Sequence, residues 1–195
     1  MAFTRRYDRH VILPVPSGTY GIDAMHSQLG FAVRHLGIST VRGTFDAYSG
    51  SLTIADGLDG VSVTVEATTA SVNSGNRMRD NHLHIADYFD VENHPTLRFT
   101  SSSVTAAEAG SDGYVLTGDL TIKGVTKPVR LDVTFNGSGV FPVDQSTHYG
   151  FTGTGTIKRS DFGVGPGGPI LSDDVALQLD AQFIAPAAAP PTTGA

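Results

Sequence analysis

Residues 30–54, GFAVRHLGISTVRGTFDAYSGSLTI, alternate in twos. Phe31, Val33 and His35 fall on one side, and Ala32 and Arg34 on the other. After a turn-like Leu36-Gly37-Ile38, Val41, Gly43 and Phe45 oppose Arg42, Thr44 and Asp46. A second turn is expected at Tyr48-Ser49-Gly50, followed by Leu52 and Ile54 alternating with Ser51 and Thr53. Successive side chains on a strand point to opposite faces, so three consecutive strands each present one apolar and one polar face. A chain patterned this way curves a sheet around something. The alternation leaves open whether that is a packed core or a ligand, and it places one histidine, His35, among the apolar positions.

The same period recurs elsewhere. Val61, Val63 and Val65 share one side of a strand, as do Leu97 and Phe99. Tyr114, Leu116, Leu120 and Ile122 lead to a hairpin turn at Lys123-Gly124-Val125-Thr126. Val129, Leu131, Val133 and Phe135 follow, ending at Asn136-Gly137, and then Phe151, Gly153, Gly155 and Ile157. Val175, Leu177, Leu179, Ala181 and Phe183 form the last strand. Only residues 74–89 change period: Met78, His82, Ile85 and Phe89, with Leu83 beside them, predict an amphipathic helix capped by Ser74 or Asn76 and limited by Pro95. Arg77, Arg79, Asp80 and Asp87 are expected outward. With one helix for so many strands, the economical fold is all-β: a closed, eight-stranded antiparallel up-and-down barrel, which removes exposed edges and has room for a ligand. Residues 1–18 read as an arm broken by Pro14 and Pro16, and residues 185–195 as a Pro/Ala-rich tail, which leaves one barrel domain over 19–184.

Charge and residue usage narrow the range of functions. With 13 Lys and Arg against 19 Asp and Glu, nucleic acid and anionic membrane are poor default partners, because both need a basic footprint. It has no cysteine, which rules out thiolate chemistry. No apolar run reaches the ~18 residues of a spanning helix, and none forms a secretory signal, so a soluble cytoplasmic protein is expected. Gly163-Val164-Gly165-Pro166-Gly167-Gly168 matches a dinucleotide fingerprint only literally, because a strand rather than a helix follows it. The seven histidines lack metal-ligand spacing, and no nucleophile elbow accompanies them. No metal, cofactor or catalytic residue is expected.

Several stretches nevertheless resemble a known family. Tyr20-x-Ile22-Asp23, His26-Ser27, and Phe31-x-Val33-x-His35-Leu36-Gly37-x-Ser39 with Gly43-x-Phe45 are similar to the opening of the YceI-like domain. Arg79-Asp80-x-His82-Leu83, Asp87-x-Phe89-Asp90 and His94-Pro95 resemble its helix segment. Gly118-Asp119-Leu120-Thr121-Ile122-x-Gly124-Val125-Thr126-Lys127-Pro128-Val129 resembles its central hairpin, and Ser160-Asp161-Phe162-Gly163 the stretch before its last strand. The resemblance implies an extended lipocalin-like barrel, often dimeric and often periplasmic or secreted. It also implies a polyisoprenoid, isoprenoid quinone or similar long-chain amphiphile held in the lumen.

On that footing the expected ligand contacts are Phe31, Val33, Val41, Phe45, Phe99, Phe151, Ile157 and Phe183. His35 is expected as a polar anchor or a core histidine, and Met78, Leu83, Ile85 and Phe89 as the floor or gate. Non-enzymatic storage or transport by a homodimer is the expected function. Two alternatives are a metal- or His-dependent enzyme acting on a lipid through His26, His35, His82 and His84, and a stress-response module with a packed interior.

Overall fold

A computed structural model of the chain describes residues 13–108, 113–166 and 168–185. Most of the expected arm and almost all of the expected tail therefore lie outside the described residues. Eleven strands and one helix follow in chain order: β1 Gly18–Ile22, β2 Gln28–His35, β3 Ser39–Phe45, β4 Tyr48–Ile54, β5 Val61–Thr68, β6 Val72–Asn73, α1 Arg77–His84, β7 Thr96–Ala106, β8 Gly113–Ile122, β9 Val125–Val140, β10 Thr147–Lys158 and β11 Leu171–Ile184. The strands are joined in the order β1-β4-β5-β7-β8-β9-β10-β11-β2-β3-β6, and β1 also pairs with β11. Because β1 and β2 both run along β11, and β4 and β3 run along them in turn, each couple acts as one bent strand. The ring that closes is the all-β, eight-stranded antiparallel barrel.

Closure depends on the interruption at Asp23–Ser27. β2 pairs with β11 from Leu171 to Asp180, and β1 takes over at Phe183 and Ile184. Gln182 sits at the handover: its carbonyl accepts from Asp23 N at 2.8 Å, and its N–H donates to Ser27 Oγ at 2.8 Å. The Tyr48 hydroxyl donates to Ser27 O at 2.5 Å, which ties the second bent strand to the same break.

The turn expected at Tyr48-Ser49-Gly50 is a strand instead, and the bend lies earlier, at Asp46–Ala47. The bend moves the inward positions from odd (Phe45) to even numbers (Leu52). A bulge at Ser101–Ser103 does the same between Phe99 and Val104. Asn136-Gly137 does not end β9; Gly137, at φ +116°, belongs to a bulge against β10, and pairing resumes to Val140. The Lys123-Gly124 hairpin forms as expected, with both residues left-handed.

The helix is shorter than its periodicity predicts and faces differently. α1 starts at the Asn76 cap, whose Oδ1 accepts from Arg79 N at 3.1 Å. Its sheltered positions are Arg79, Asp80, Leu83 and His84. Asp80 Oδ1 accepts from Ser74 N and Oγ at 2.8 and 2.5 Å, while Arg79 donates to Ser74 Oγ and O, each at 2.7 Å. Hydrogen bonds within such a polar network offset the desolvation cost of partial burial, which is how these residues displace the apolar stripe from the inner face.

Between β10 and β11 a short turn, Arg159–Phe162, inserts Phe162 to 2% exposure. Arg159, 8% exposed, donates to the carbonyls of Ser172, Val164, Gly165, Pro166 and Leu171 at 3.0–3.3 Å. The glycine-rich stretch is thus a loop laced to a buried guanidinium. Replacing Arg159 by Met strips donors from several carbonyls at once and is expected to lower stability by about 3 kcal/mol in urea unfolding.

Candidate functional site

The inward faces line an apolar lumen of about 200 Å³. Val61, Val63 and Val65 of β5, Leu116, Leu120 and Ile122 of β8, Val129 and Leu131 of β9, and Leu177 and Leu179 of β11 supply much of its wall. No charged side chain lines it, and Tyr114 carries the one side-chain hydroxyl. Phe99 can lie flat in the wall because Gly118 faces it; a Cβ at position 118 would come within 2.5 Å of the ring and of Thr100 O. Gly43 gives the same room to Phe31.

Six of the residues expected on sequence grounds line this lumen: Phe31, Phe45, Phe99, Phe151, Ile157 and Phe183. Phe151 packs edge-on to Phe183 at 6.0 Å, and Phe31 lies 5.9 Å from Phe45. The remainder lie elsewhere. Val33, Val41 and His35 are half-buried beyond the end of the lumen, where Val33 pairs with Val41 and Val175, and His35 with Ser39 and Leu171. Phe89 is buried and meets Phe45 edge-on at 5.4 Å, closing that end from outside, with Leu83 packed against the same core. Met78 and Ile85, also expected at the floor or gate, are exposed at 83% and 44% and do not line the lumen. The aliphatic walls of β5, β8 and β9 carried the same alternation as the phenylalanines, so the signal that could have found them was present in the sequence.

Leu13 also lines the lumen, and Leu13 and Val15 are 7% and 6% exposed. Tyr20 anchors this segment by donating to Pro16 O at 2.7 Å, and its ring packs edge-on to Tyr149 at 5.3 Å.

The histidines gather on other surfaces. On β10, lumen residues are odd-numbered, so His148 points to the outer face. There Asp23 Oδ2 lies 2.7 Å from His26 Nδ1 and 3.7 Å from His148 Nδ1, while His148 also meets Gln182 Oε1 at 2.8 Å and Ser146 Oγ at 3.0 Å. Burial would raise the Asp23 carboxyl, but hydrogen bonds from His26 and Met25 N, with the fields of both imidazoles, outweigh it and hold the group below its ordinary range. His82 stacks edge-on with Tyr88, His94 lies 3.8 Å from Asp90, and His84 Nε2 is buried without a hydrogen-bond partner. Among the described residues no group of three or more His, Asp or Glu side chains is placed to hold a metal.

With this geometry in view, comparison with known proteins is decisive. The YceI-like domain profile matches residues 20–183. The chain belongs to the YceI-like domain family. A UPF0312 protein of Staphylococcus aureus is 34% identical over 174 residues, covering 84% of this chain and 96% of that one. BcnA of Burkholderia cenocepacia superposes with a TM-score of 0.72 at 27% identity, over 83% of this chain and 98% of that one. A polyisoprenoid binding domain from Saccharophagus degradans shares the fold, with a TM-score of 0.61 at 19% identity over 86% and 98% of the two chains. In this YceI-like chain no helix among the described residues is long and apolar enough to cross a membrane.

Two outcomes follow from the geometry. Leu13→Ala should cost about 2–3 kcal/mol and speed the entry of an apolar fluorescent probe in stopped-flow mixing; an unchanged rate would mean this segment covers no entrance. Asp23 has a lowered folded pKa, so its contribution is complete above its unfolded value of about 3.9 and is lost as pH falls through the folded one. Asp23→Asn should therefore flatten the acid limb of a melting-temperature profile below about pH 4.

Proposed function

We propose that the barrel stores or carries a long-chain amphiphile, a polyisoprenoid or an isoprenoid quinone, by non-enzymatic binding in its lumen. The observation that carries this reading is an interior cavity walled by carbon, without a charged side chain. Such a wall rewards apolar surface at roughly 25 cal/mol per Å² and offers nothing to polarise a reacting group. The relation of fold to a polyisoprenoid binding domain supports the class of ligand. The Asp23, His26 and His148 cluster stands on the opposite face of the barrel wall, away from a chain in the lumen, which weighs against the alternative of a His-dependent enzyme acting on it.

The free volume of about 200 Å³ is less than the ~300–1,000 Å³ of pockets for drug-sized ligands. A slender prenyl or acyl chain suits it better than a fused-ring compound, with Leu and Val rotamers yielding along its length. Homodimerisation is part of the proposal and is read by light scattering on the eluting protein.

Solvent extraction of the purified protein followed by mass spectrometry should yield a stoichiometric long-chain lipid. A clean extract, together with a crystal structure whose lumen is filled by side chains, would favour the packed-core alternative. Ala181 lines the lumen, so Ala181→Phe should fill it at a cost of about 1–3 kcal/mol in stability and cut the extracted lipid severalfold.

A further inference from the structure

The end of the barrel beyond Phe31 carries a feature that lumen binding leaves unused. The β2–β3 turn exposes Leu36 to 53% and Ile38 to 81%, and Ile170, whose carbonyl accepts from Leu36 N at 2.7 Å, adds 57% beside them. Ile38 N donates to His35 O at 3.1 Å, and Leu36 and Gly37 both have positive φ, +52° and +70°. Such a turn favours Asn-Gly, because a branched apolar residue in the left-handed region is strained. Here that strain holds a leucine in water. Strain retained at an exposed position points to function.

The charges around the tip favour one occupant. Arg34 and Arg42 flank the turn in a chain of net charge −6. Arg34 donates to Gly37 O and Thr40 Oγ1, not to a carboxylate, and Arg42 has no partner among the described residues. The carboxylates at the start of β11, Asp173 and Asp174, lie 4.0 and 3.0 Å from the Lys158 ammonium, which offsets part of their charge, and Asp173 also accepts from Ser160 N and Oγ. Apolar side chains at the tip, with two arginines on the strands below it that no carboxylate among the described residues pairs, suit an anionic lipid surface.

The inner face of this corner then leads away from the tip. Leu171 pairs with His35, Val175 with Val33, Val33 with Val41, and Leu177 with Phe31, where the lumen begins. These residues form a half-buried track, continuous from exposed tip to lumen wall.

We propose that the β2–β3 tip docks on an anionic bilayer and that the track below it is the path by which a lipid chain passes between bilayer and lumen. The track rests on the lipid-binding reading; the docking does not.

The test is flotation of the full chain with vesicles of phosphatidylcholine containing one-third phosphatidylglycerol, and with phosphatidylcholine alone. The wild-type protein should float with the anionic vesicles and severalfold less with the neutral ones. Leu36→Asn relieves the turn, so its melting temperature should hold or rise while vesicle binding falls about tenfold or more. Arg42→Gln should weaken binding to anionic vesicles and reduce its salt sensitivity. Failure of the wild type to float, Leu36→Asn floating as well as the wild type, equal binding to both vesicle types, or self-association through the tip without flotation would each overturn the docking. Flotation with a lipid-free extract would leave the docking standing and remove the lumen reading.

Discussion

A sheet whose strands all bury one face must bring its first and last strands together, and here one strand does so by serving two neighbours. β11 is fourteen residues long, and no single short strand spans it. Two segments of one bent strand share it, and the change of partner is concentrated at Gln182, Ser27 and Asp23. The break re-aims β1 by pulling its end onto β4 while β2 keeps its place on β3. Closure, the lumen and the protection of sheet edges all follow from that re-aiming. The Asp23, His26, His148 and Tyr48 contacts that surround it are therefore structural joinery, with the imidazoles on the outer face.

Closure alone does not make a continuous apolar wall. A wall needs every strand to present the same face inward along its whole length, yet strands that bend around a barrel lose register. The bend at Asp46–Ala47 and the bulge at Ser101–Ser103 each shift the inward set by one position. Leu52 and Val104 are consequently inside although a strict period of two from Phe45 or Phe99 would have put them outside. Phe31 and Phe99 lie across glycines on their neighbours, and a Cβ at Gly43 or Gly118 would collide with the rings, so the wall accepts both at those positions.

The barrel was legible in the sequence because alternation is a local property of each strand, and so was the Lys123-Gly124 hairpin. The helix was legible in place but not in orientation. Periodicity ranks positions by hydropathy, and it chose Met78, Ile85 and Phe89; the inner positions went to Arg79 and Asp80 because Ser74 satisfies both, a pairing between loop and helix that no periodicity encodes. Arg159 and Phe162 were missed for a related reason. They belong to one short turn, and the value of the buried arginine lies in carbonyls of residues 164–166 and 171–172 that fold back onto it. For the site, aromatic residues drew attention away from the valines and leucines that share their period. His35, Val33 and Val41, expected as ligand contacts, share the period of Phe31 but lie past the ring contacts of Phe31, Phe45 and Phe89 that end the lumen.

A wall made of carbon constrains selectivity as well as affinity. Discrimination between ligands that differ by a methylene is weak in an apolar site, whereas discrimination by hydrogen bonding requires buried polar groups that would be left unpaired by the wrong ligand. Among the described residues Tyr114 is the one lining residue with a side-chain hydroxyl, and the surface turned to the lumen is carbon almost throughout. The lumen can therefore select for length and slenderness of a chain, and a polar head group must be accommodated at an end of the barrel, where backbone and polar side chains are available. Leu13 and Val15 pack on the same core, and Phe89 closes the lumen at Phe45; each of these segments is held by apolar burial and by a few hydrogen bonds outside the barrel ladders, Tyr20 to Pro16 O for the first and Lys123 to Ala86 O for the second. Segments held in that way open at the cost of a few side chains of burial and those hydrogen bonds, without breaking a ladder of the barrel, and this is the physical condition for loading a lumen while its wall stays intact.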